Sequence, residues 1–121
     1  MSSELNSSAI DLTVSPSGSG CADCDGADPP GWWVHLRRCA LCGQVGCCDS
    51  SPGQHATAHA ESTGHRYVQS FEPGEDWFFD YETATVTDGP ELAAPTAHPV
   101  DQPTPGPAGR VPPDWKRHVH T

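Results

Sequence analysis

Hydrophobic and polar positions along the chain give only short elements, set between two ends with no sustained pattern. Trp32 to Arg38 alternates enough to form a short strand that delivers the chain to Cys39, and Cys42-Gly43 turns it back. Ser51-Pro52 offers a serine cap with proline in the first turn, which predicts a helix through the alanines, His55 and His59 to a stop at Gly64. His65 to Phe71, a turn at Glu72-Pro73-Gly74, Asp76 to Tyr81 and Ala84 to Thr87 read as strands of a small antiparallel sheet. The predicted class is α+β, an antiparallel sheet with one or two helices.

The ends are of another kind. Residues 1–19, with SSELNSS and SPSGSG, are too polar and small to bury surface that offsets chain entropy, so a disordered segment is expected. Residues 90–121 are studded with proline and are expected to form a disordered tail. That leaves 20–89 as the one folded domain. A domain below ~70–80 residues rarely gains more than ~3–5 kcal/mol from its core alone, so it needs disulfides, a metal or a partner. Six cysteines and seven histidines can meet that need.

Compartment and charge narrow the chemistry. No basic n-region opens the chain, and its longest early apolar stretch, Ala9 to Val14, is interrupted by Asp11 and Thr13. Neither a signal peptide nor a membrane span is expected, which places the protein in a reducing cytoplasm where clustered cysteines serve as metal ligands rather than disulfides. Net charge is −10, with six lysines and arginines among sixteen carboxylates. Phosphate backbones are repelled, so nucleic acid is not an expected partner, and a monomer is expected.

The informative pattern is C-x2-C at Cys21 and Cys24, C-x2-C at Cys39 and Cys42, then Cys47-Cys48, His55, His59 and His65. A C-x2-C pair converges two thiolates on one metal, and zinc takes four N or S donors tetrahedrally. Two pairs separated by a strand therefore imply two zinc ions, with one cysteine to spare. Four protein donors on each zinc leave no place for an activated water, so both sites read as structural and no enzyme is expected. No nucleophile, base and orienting group stand together elsewhere. A thioredoxin-like role lacks a βαβ pattern and leaves the histidines unexplained. Spacing alone does not settle which donors share a zinc: His55 and His59, at i and i+4, would most simply face the same one.

CALCGQVGCC, HATAHAESTGHRYV and EDWFF together resemble the UBP-type zinc finger, the ubiquitin-binding module of some deubiquitinases, and above all its short stand-alone bacterial forms. The resemblance implies interleaved pairs, with Cys21, Cys24, Cys47 and His55 on one zinc and Cys39, Cys42, His59 and His65 on the other. Cys48 competes with Cys47, because the gap to the histidine is one residue longer than the family pattern. Positions of a further family C-x2-C hold Phe78 and Tyr81, so a third zinc is not expected.

Ubiquitin-binding members hold a free C-terminus in a pocket of arginine, tryptophan and tyrosines. Here the arginine position is Asp49, the preceding glycine is Cys48, and Trp77 is joined by Phe79 in place of a tyrosine. A carboxylate there repels a peptide carboxylate, so ubiquitin is not the expected ligand. Trp77, Phe79 and Tyr81 share a strand face that reads first as core and second as the lining of a peptide groove. The function expected is a protein-interaction module for a peptide or protein C-terminus of unknown identity. The alternative is a redox sensor in which the spare cysteine oxidises and zinc is released.

Overall fold

The computed structural model describes residues 7–119. Five short strands, β1 Leu36–Cys39, β2 Val45–Cys47, β3 Tyr67–Ser70, β4 Phe78–Asp80 and β5 Thr85–Thr87, form one antiparallel sheet in the order β2-β1-β3-β4-β5. Two helices join it: α1, Ala22–Gly26, and α2, His55–Thr63, both against the β2 end. The α+β class holds.

Several bounds differ from the alternation. The first strand begins at Leu36 rather than Trp32, because Val34 N–H donates to Ser51 Oγ at 2.8 Å and Trp33 pairs with Gly106 instead of a sheet neighbour. That same hydroxyl is then unavailable as a cap. The second helix accordingly starts at His55, after Gln54 in a left-handed conformation (φ 50°), while Gly64 (φ 77°) ends it as expected. Strand β2 was not anticipated. It is only three residues long, all buried, and has no alternation to display.

Two apolar clusters fill the molecule. One gathers Trp33, Leu36, Val45 and Phe71 with the sulfurs of Cys21, Cys24 and Cys47, the other Ala40, Tyr67, Phe78 and Leu92. Burial at ~25 cal/mol per Å² over so few side chains leaves a thin margin, which is why sulfur is part of the core.

Leu92 belongs to the proline-rich segment, and among the described residues both flanking segments make contacts with the sheet. The guanidinium of Arg38, fully buried, donates to the carbonyls of Val14 (2.7 Å), Ala93 (2.7 Å) and Pro95 (3.1 Å). Asp11 N–H donates to Ala40 O and Ser17 N–H to Gly43 O, so the N-terminal segment is laid along the zinc-knuckle turn. Neither end has the hydrophobic period that would announce such docking. Backbone carbonyls answering one buried cation do the work, and carbonyls are invisible in a side-chain pattern. Residues 1–6, part of the expected N-terminal disorder, lie outside the described residues, as do 120 and 121.

Candidate functional site

Cys21 caps helix α1, its Sγ accepting from Cys24 N–H at 3.4 Å, so the first C-x2-C turn aims both sulfurs inward. Cys47 ends β2 and its Sγ accepts from His55 N–H at 3.3 Å, bringing the start of α2 to the same point. His55 Nδ1 lies 3.3 Å from Cys21 Sγ, 3.3 Å from Cys24 Sγ and 3.5 Å from Cys47 Sγ, with Cys24 and Cys47 sulfurs 3.9 Å apart. Zn–S and Zn–N bonds of about 2.3 and 2.0–2.1 Å give tetrahedral edges of about 3.8 Å between sulfurs and about 3.6 Å between sulfur and nitrogen. The four donors fit one zinc ion.

The second group is built on the turn after β1. Gly43 N–H closes on Cys39 O at 3.0 Å with φ 82°, and a Cβ there would run into Ser15 O, so only glycine serves. Cys39 Sγ is 3.3 Å from His65 Nδ1, Cys42 Sγ is 3.3 Å from His59 Nε2, and the two imidazole nitrogens are 3.3 Å apart. A tetrahedral N···N edge on zinc is also about 3.3 Å. Each set of four donor atoms lies within 4.8 Å of one another. The chain thus has two sites able to hold Zn2+, two ions per chain.

Electrostatics agree with that use. Hydrogen bonding with Cys21 and Cys47, then burial, drives the Cys24 thiol far up, while bonds from Cys21 and Cys24 hold the Cys47 thiol down as thiolate. A divalent cation resolves that crowding by replacing shared protons. Burial, then the charge of His65, lowers His59, so its ring stays neutral with a lone pair to offer.

Cys48 stays outside both groups: 5 % exposed, its Sγ faces Ser51 Oγ at 3.5 Å. His55 and His59 do not share a metal group, despite their i,i+4 spacing. His55 sits at the first helical residue, where Cys47 reaches it, and His59 lies one turn further along, opposite Cys42.

Beside the first site, an open groove of about 170 Å3 is lined by Arg37, Cys48, Asp49, Trp77, Phe79 and Tyr81, among others. Its floor is a row in register across the sheet, Val68 on β3, Phe79 on β4 and Val86 on β5. Trp77, Phe79 and Tyr81 therefore line a surface groove rather than the core, where the neighbouring Phe78 is fully buried. The groove is smaller than the ~300–1,000 Å3 of small-molecule sites. Phe79 and Tyr81 meet edge to face at 5.0 Å, and the Arg37 guanidinium stacks on Trp77 at 4.7 Å. Arg37 was not singled out from the sequence. Its signal was strand alternation, which sends it to the face opposite buried Leu36 and Arg38. Asp49, on the same groove, accepts from Thr57 Oγ1 at 2.6 Å.

With eight donors in two groups of these spacings, a family model described as a zinc finger in ubiquitin hydrolases and other proteins matches residues 21–92. The chain belongs to the UBP-type zinc-finger family. This is a zinc-finger rather than a catalytic domain, and the UBP finger here spans β1 to β5 with both donor groups. Among solved structures, the chain is similar to protein RPA1320 from Rhodopseudomonas palustris, determined by solution NMR. Identity is 40 %, covering 77 % of this chain and 85 % of that one, with a TM-score of 0.58. No curated protein matches it. Among the described residues, no helix of the finger is long and apolar enough to cross a membrane.

Proposed function

We propose that this UBP-type finger is a non-catalytic protein-interaction module, built on two structural zincs and reading an extended peptide in the Trp77 groove. Cys21, Cys24, Cys47 and His55 ligate one zinc, and Cys39, Cys42, His59 and His65 the other. The observation that carries the recognition step is the groove itself: three aromatic side chains left half-buried beside a cation. Arg37 makes no ion pair with any carboxylate among the described residues, although carboxylates outnumber cations in the chain. Its stack on Trp77 leaves guanidinium donors for a peptide carboxylate, the role that Asp49 cannot fill. The ligand is thus a peptide or protein C-terminus other than ubiquitin's, bound by a cytoplasmic monomer.

The redox-sensor alternative is not favoured, since its spare thiol, Cys48, is buried and faces Ser51. The peptide reading is tested by titrating the zinc-loaded protein with a library of short peptides in free-acid and amidated forms, following the part of the tryptophan fluorescence that Trp77→Phe removes. Free acids should bind with Kd in the micromolar to millimolar range, and Arg37→Ala should weaken them about tenfold or more, a charge-assisted hydrogen bond contributing ~1.5–3 kcal/mol. Equal binding of acid and amide, unaffected by Arg37→Ala, would remove the carboxylate from the proposal. No response at Trp77 to any member would remove the groove.

A further inference from the structure

After β5 the chain returns across the molecule, and three contacts hold that path. Leu92 enters the second apolar cluster, Arg38 takes the carbonyls of Ala93 and Pro95, and Gly106 exchanges backbone hydrogen bonds with Trp33 at 2.8 and 3.0 Å. Between them sits His98, 5 % exposed, its backbone N–H donating to Phe71 O at 2.9 Å.

The His98 ring has acceptors at both ends. Nε2 is 2.9 Å from Glu72 Oε1 and Nδ1 is 2.8 Å from the carbonyl of Pro99. A carbonyl cannot donate. Glu72 does not donate either: burial raises its carboxyl, but hydrogen bonds from His35 and His98, with Leu36 N–H at 2.8 Å on Oε2, outweigh that and hold it near 2. Both contacts are hydrogen bonds only if the ring carries two N–H groups, which means the imidazolium. A neutral ring supplies one, and the other nitrogen then turns a lone pair toward oxygen. Among the described residues, the titratable group paired with this ring is Glu72, after β3; His35, before β1, meets the same carboxylate oxygen through Nδ1 at 3.5 Å, with its side chain 46 % exposed. The Phe71 ring lies edge-on at 6.5 Å and adds no charge.

We propose that residues 90–107 form a strap closed by the charged form of His98 on Glu72, a strap that loosens when the ring loses its proton while both metal sites stay assembled. Neither His98 nor Glu72 belongs to either donor group, so loss of the His98 proton removes no zinc ligand. Opening would bare Phe71, beside which Pro95, Ala97 and Pro99 line a pocket, and separately the seat of Leu92 in the second apolar cluster.

The test uses the full zinc-loaded chain labelled with 15N. Long-range 1H–15N correlations report the His98 ring between pH 5.5 and 9, and amide exchange at His98 and Gly106, corrected for base catalysis, reports the strap. Both ring nitrogens should carry protons wherever these amides are protected. Protection should then fall by roughly tenfold as the ring titrates, the effect of one lost hydrogen bond, with zinc content by native mass spectrometry unchanged. His98→Gln, which keeps a single N–H donor and does not titrate, should make strap protection independent of pH. A neutral His98 ring while the strap is protected would overturn the proposal, whether or not the variant folds. So would a pH dependence that persists in His98→Gln, or zinc loss that accompanies opening.

Discussion

At the scale of single residues, adjacent cysteines have opposite fates. Cys47 ends a strand whose last side chain points at helices α1 and α2, and Cys48, one step on, turns to the groove side and Ser51. The two should therefore respond differently to the same substitution. Cys48→Ser should keep two zincs and change stability by about 1 kcal/mol or less, as an ordinary small core replacement does. Cys47→Ser should lose the zinc of its group, and with it much of the ~10–16 kcal/mol of apparent binding free energy that structural zinc supplies. Native mass spectrometry with denaturant titration checks both: two zincs retained in Cys47→Ser, or lost in Cys48→Ser, would transfer the ligand role to Cys48.

At the scale of elements, two glycines with left-handed backbones finish two turns under different constraints. Gly64 ends helix α2 with open space around its Cα, so Gly64→Ala meets only the conformational penalty of φ 77°, about 1 kcal/mol. Gly43 carries the same kind of φ, but an added methyl also meets the Ser15 carbonyl, so Gly43→Ala should cost more and should detach the N-terminal segment from the knuckle. Denaturation midpoints of the zinc-loaded variants rank them, and amide protection at Ser17, which donates to Gly43 O, detects the detachment. Equal costs would mean that the Ser15 contact is soft. Helix α2 owes its seat to a third glycine: a Cβ at Gly46 would lie 2.8 Å from Ala56 N, so β2 and the helix approach only because neither has bulk there. The helix is correspondingly placed by small residues and donor atoms, not by an apolar stripe.

At the scale of the molecule, the two donor groups differ in shelter, and that sets the order in which they give way. Cys21, Cys24 and Cys47 are buried with three sulfurs, whereas Cys42 is exposed and shares its group with two imidazoles. Chelator should therefore empty the Cys42 group first, giving a one-zinc species by native mass spectrometry; simultaneous loss of both ions would show the groups to be a single cooperative unit. Acid acts on zinc and carboxylates together. Glu72, described above, is held near 2. Asp80 is lowered to about 2 by its hydrogen bonds from Arg66, at 2.8 Å from each oxygen, against burial. Depressed carboxylates stabilise the fold above their unfolded values of 4.5 and 3.8, and that contribution is lost as pH falls from those values toward 2. Ligand protonation works in the same direction, so a domain keeping its fold at pH 4 in chelator would contradict the structural role of zinc. What the sequence determined by itself was local chemistry: two C-x2-C turns and three histidines declare a zinc fold because few other uses explain such donors in so small a core, and Gly64 ends its helix because the backbone there requires it. Which donors gather together was legible only through family resemblance, since i,i+4 spacing pointed His55 and His59 the other way. Tertiary structure alone decided the rest. A three-residue strand carries no period, Arg37 enters the groove from a strand distant in sequence, and the proline-rich segment is held by backbone carbonyls on Arg38 and by His98 on Glu72, contacts for which a one-dimensional pattern has no sign.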